Sequence, residues 1–140
     1  MKLEWAKGVP KEVKAAAKPY FDLYRNVVPS WCRVVTVAYQ QQPPLSPDSV
    51  ADSASQVEYR QATIQLHGGW LNESEDDRER TVLHELVHIA VAPMYAIPEK
   101  LLECVQDSAA RAVLEDQWRA AVEGVVCDVA EAFLRRPLDD

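Results

Sequence analysis

The stretch "RTVLHELVHIAVAP", residues 80–93, constrains this chain more than any other. Val82, Leu83, Leu86, Val87, Ile89 and Ala90 surround two histidines and a glutamate, so a helix here turns apolar residues in nearly every direction and must be buried. Burying an unpaired His–Glu–His group is costly, and metal ligation offsets that cost. Residues four apart share one helix face. His84 and His88 can therefore direct imidazole nitrogens at a common point, about 2.0–2.1 Å away as zinc requires. Glu85 is offset from that face and is too close in sequence to join the ligands comfortably, but it can reach a water beside the metal and take its proton.

The rest of the chain sets the frame. At 140 residues it fits one domain, expected to span residues 1–140. A hydrophobic share of 48% supports a core without external staples. The formal charge of −7 disfavours a sequence-independent nucleic-acid binder, and Lys2, Lys7, Lys11, Lys14 and Lys18 read as a solvated helix face. Cys32, Cys104 and Cys127 are odd in number and form no Cys-x-x-Cys pair, which suggests reduced, mostly buried thiols. No apolar run is long enough for a membrane span and no signal-type segment opens the chain, so a cytoplasmic protein is expected.

Pro10 opens a helical pattern carrying Val13, Ala17, Tyr20, Phe21 and Tyr24, with a kink or break expected at Pro19. Val35, Val37 and Tyr39 alternate as in a strand, and "QPPLSPDS" has the composition of a loop. A second strand is expected within residues 50–58. A third has Ala62, Ile64 and Leu66 on one face, with Thr63, Gln65 and His67 on the other. Ser74 is the expected N-cap of the histidine helix, with acidic residues in its first turn, and Pro93 ends it. From Pro98 the pattern is helical almost to the end. The expected fold is α+β: an N-terminal helix, a small three-stranded sheet, the histidine helix, and one or two C-terminal helices.

"HELVH" resembles the signature of the zincin metallopeptidases, and the order of elements over residues 31–134 is similar to the minimal zincin core of small bacterial or phage-type proteins. The resemblance implies a zinc-dependent hydrolase acting on peptides or proteins, with Glu85 as general base. It also implies that "YRQATIQLHGGWL" is the strand bordering the substrate cleft, its residues 62–66 an edge that aligns an extended peptide. The metzincin pattern would need glycine and histidine where Val91 and Met94 stand, and no histidine follows His88. A gluzincin-like third ligand, a glutamate on a later helix, remains.

Glu99, Glu103, Glu115, Glu123 and Glu131 compete for that role, with Asp107, Asp116 and Asp128 behind them. "VEGVVCDVAEAFL" resembles the segment that carries the third ligand in gluzincin-like proteins, which favours Glu123; Glu103 and Glu99 come next. Helical spacing adds its own support, since Glu123 stacks with Val126, Cys127 and Ala130 in a small or apolar stripe. Gly124, costly inside a helix, suggests close helix approach there. His67 is better read as a solvent-facing or hydrogen-bonded strand histidine, and Tyr59 and Tyr95 as core or rim packing, than as catalytic residues. The rival reading is a zincin-like module that binds or regulates without turnover.

Overall fold

The computed structural model describes residues 1–42 and 50–134. It is an α+β fold built on a mixed four-stranded sheet, with β1 at Lys2–Trp5, β2 at Val34–Gln40, β3 at Ala51–Gln56 and β4 at Gln61–His67. Four helices accompany the sheet: α1 (Lys11–Leu23), α2 (Glu75–Val91), α3 (Ala96–Glu103) and α4 (Ser108–Leu134). The strand order is β1-β2-β4-β3, with β1–β2 and β2–β4 parallel and β3 antiparallel to β4. The "QPPLSPDS" loop falls almost wholly outside the described residues. Among those described, no helix is long and apolar enough to cross a membrane.

Two expectations about the N-terminus are corrected. The sheet has four strands, because "KLEW" alternates polar and apolar residues and pairs with β2 from Lys2↔Val34 to Trp5↔Val37. Lys2 therefore lies on a strand, and of those five lysines Lys11, Lys14 and Lys18 belong to a helix. Nor does Pro19 break α1, which runs through it. The burial of Val13, Ala17, Tyr20 and Phe21 against the sheet holds the helix across the amide that proline lacks.

The core forms where α1 and α2 cover one face of the sheet. Val35 and Val37 of β2, with Ala62, Ile64 and Leu66 of β4, meet Leu83, Leu86, Val87 and Ile89 of α2. Polar clasps fix α2 against its neighbours. The Tyr24 hydroxyl donates to the Glu79 carboxylate, and Arg80 Nε donates to Glu131 Oε1 on α4 at 2.8 Å. Ser74 Oγ accepts from the backbone N–H of Asp77 at 3.1 Å, so α2 starts at its expected cap.

The strand order matters for the site. β4 has hydrogen-bonded partners on both sides, which corrects the expectation that residues 62–66 form an edge; the edge beside α2 is β3. β4 alternates polar and apolar residues, which fits a strand with one face on the core; its central place comes from pairing on both edges. The β3–β4 connection turns at Arg60 (φ 58°), whose guanidinium donates to the Trp31 and Ser30 carbonyls. Past the end of β4, a Cβ on Gly68 would lie 2.3 Å from the Gln41 carbonyl oxygen. Only glycine fits there.

Candidate metal centre

Within α2 the burial pattern separates the polar residues by role. Leu83, Leu86 and Ile89 are fully buried, while His84 and His88 are half-buried on the flank that faces α4. Their rings meet edge to face, 4.7 Å between centroids, with the two Nε2 atoms 3.0 Å apart. From α4, Glu123 reaches over both. Its Oε2 is 3.4 Å from His84 Nε2 and its Oε1 is 3.2 Å from His88 Nε2.

These separations fit a metal. Four ligands at zinc's bond lengths of about 2.0–2.1 Å in a tetrahedron lie about 3.3 Å from one another; the two imidazole nitrogens here are 3.0 Å apart, and a different oxygen of the Glu123 carboxylate approaches each of them, at 3.4 and 3.2 Å. Among the described residues, His84, His88 and Glu123 are the group of potential ligands whose atoms all fall within 4.8 Å of one another. Two imidazoles and one carboxylate suit zinc and its borderline neighbours. Burial lowers the pKa of both histidines against the opposing pull of Glu123, and His88 lowers that of His84 further. The neutral imidazoles that a metal requires are thus favoured.

Glu123 takes this place because α4 packs through Val122, Val126, Val129, Ala130 and Phe133, which leaves its carboxylate at the rim of the packed face and half-exposed. The close helix approach expected at Gly124 is not found: a Cβ there meets nothing within 4 Å. Nothing in the packing accounts for that glycine. Glu99 and Glu103, the rival glutamates, do not join the cluster and instead line a cleft next to His88. Burial of the thiols also departs from expectation, since Cys32 is buried but Cys104 and Cys127 are exposed.

Glu85 is buried beside β3. The Ser53 hydroxyl donates to its carboxylate; burial, with Asp52 and Glu123 nearby, nonetheless pushes its pKa up to about 7. Ser53 is a site neighbour that sequence reasoning missed. "ADSASQ" carries no spacing that links it to residues over thirty positions away, and only the strand order brings it there.

A cleft of about 680 Å³ runs from His88 between the edge strand and α3, with Ser53, Ser55, Tyr95 and Glu103 among its walls. The buried Tyr95 hydroxyl has no hydrogen-bond partner among the described residues; burial, then Glu123 and Glu99, raises its pKa to about 12, so it stays a neutral donor. Tyr59 is exposed. His67 is buried on the strand face opposite Leu66, where its Nε2 lies 2.8 Å from Asp52 Oδ2; it does not enter the cluster. Comparison of the chain with protein-family models, with curated proteins and with solved structures returns no match to any of them.

Proposed function

We propose that the protein is a zinc-dependent hydrolase of the zincin type that cleaves peptide bonds, with His84, His88 and Glu123 as ligands and Glu85 as general base. The observation that carries this reading is the convergence of His84, His88 and Glu123, one ligand atom of each lying within 4.8 Å of the others, with a buried carboxylate next along the same helix. Zinc bound there would supply a Lewis acid that polarises a carbonyl and acidifies water.

The chain's own residues account for the rest. Glu85 accepts a proton from the attacking water on a carboxylate oxygen and returns it to the leaving nitrogen, while Ser53 holds the carboxylate in one orientation. Tyr95 Oη has a proton to donate and no partner among the described residues, so it can bind a substrate oxygen at the cleft wall. The outer side of β3 is not paired with another described strand. It offers main-chain groups to an extended peptide, and this role passes to β3 from residues 62–66.

The test uses the full chain loaded with zinc and a mixed peptide library. The parent should hold one zinc per chain by elemental analysis and cleave peptides. Glu85→Gln should keep the zinc and lose cleavage by at least a hundredfold, the scale of a general base. An unaltered rate in Glu85→Gln sinks the hydrolase reading. A second reading, a zincin-like module that binds a partner without turnover, is favoured by the exposed Leu101, Val113 and Leu114 on α3 and α4. It predicts zinc retention with no cleavage by the parent.

A further inference from the structure

A histidine that holds a metal through Nε2 must carry its proton on Nδ1, and what accepts that proton fixes both tautomer and ring orientation. In His84 the Nε2 atom faces His88 and Glu123, so Nδ1 is turned the other way. There it meets Cys127 Sγ at 3.9 Å, a long contact within the range of a sulfur acceptor. Cys127 lies four residues after Glu123, on the same face of α4. One turn of α4 therefore brackets the ring, with a carboxylate at one nitrogen and a thiol at the other.

Core packing does not explain the thiol's place. Cys127 is exposed, whereas its neighbours Val126 and Ala130 are the residues α4 buries. Nor does it qualify as a ligand, since its sulfur faces the nitrogen pointing away from the cluster.

Resting on the metal reading above, we infer that Cys127 is a positioning residue for His84: its sulfur accepts the Nδ1 proton and so holds the Nε2 lone pair towards the metal. Outer partners of this kind are worth about 10–100-fold in metal affinity, and a neutral sulfur at this distance belongs at the lower end. The consequence is that the hold on the metal depends on a solvent-exposed thiol.

The experiment measures zinc dissociation constants of the full chain against a chromophoric chelator, for the parent, Cys127→Ala and Cys127→Asp. Melting temperatures of the metal-free forms check that each is folded. Cys127→Ala should weaken zinc binding about tenfold, and Cys127→Asp, which restores an acceptor at similar reach, should recover it. Equal affinity in the parent and Cys127→Ala overturns the inference while leaving the hydrolase proposal standing; so does a Cys127→Asp variant as weak as Cys127→Ala. With cobalt(II), the parent should show no thiolate-to-metal charge-transfer band. Such a band, lost in Cys127→Ala, would make Cys127 a ligand and refute the positioning role. A parent that binds no zinc overturns both proposals together.

Discussion

Replacing Glu85 with glutamine should stabilise the metal-free protein, and by an amount that depends on pH. The buried carboxyl has a pKa of about 7 against an ordinary 4.5. The native state therefore binds the proton more tightly than the unfolded chain. Stability from this group is fully present below about 4.5 and is lost as pH rises through about 7, where ionising the buried group becomes unavoidable. The distance between the two values, at about 1.36 kcal/mol per pH unit, gives a cost of about 3 kcal/mol at pH 8. At pH 5 it is below about 1 kcal/mol.

Glutamine mimics the protonated form in size and can still accept from Ser53, so it removes the cost without opening a cavity. Urea unfolding in the presence of chelator, parent against variant at both pH values, isolates this group because every other titration cancels in the difference. Glu85→Gln should gain about 3 kcal/mol at pH 8, roughly 10 °C in melting temperature for a chain of this size. Zinc should shrink the gain, since a cation beside the carboxylate favours its charged form. A variant no more stable than the parent at pH 8, or a gain of the same size at pH 5, would refute the reasoning.

Two further changes test the frame around the site. Gly68→Ala forces a Cβ against the Gln41 carbonyl, a contact of 2.3 Å that backbone cannot absorb without shifting, and should cost about 1–3 kcal/mol in urea unfolding. Ser74→Ala removes the acceptor for the Asp77 N–H at the start of α2 and should cost about 1 kcal/mol, while Ser74→Asp should keep the parent's stability.

The parts of this molecule legible in the sequence are those written in local chemistry. Ser74 and the acidic turn after it mark the start of α2, and the four-residue spacing of His84 and His88 puts both on one flank. The stripe Val126–Ala130 similarly orients α4 so that Glu123 lands beside them. What stayed hidden depends on elements meeting. β1 is four residues long and is a strand because β2 pairs with it. Whether β3 or β4 forms the edge is decided by strand order, which alternation within a strand does not encode. Ser53 and Cys127 reach Glu85 and His84 across gaps of over thirty residues, where no periodicity can act.

The division of the proposed ligand set between α2 and α4 has a consequence for assembly. His84 and His88 are made first, and the third group comes 35 residues after His88, on α4. During synthesis the pair emerges without its carboxylate, and the set closes only when α4 docks. An ion held by all three would tie α4 to α2, closing a long loop in the manner of a cross-link. Its release would weaken one seam before the rest, letting α4 loosen while the sheet and its two covering helices stay folded.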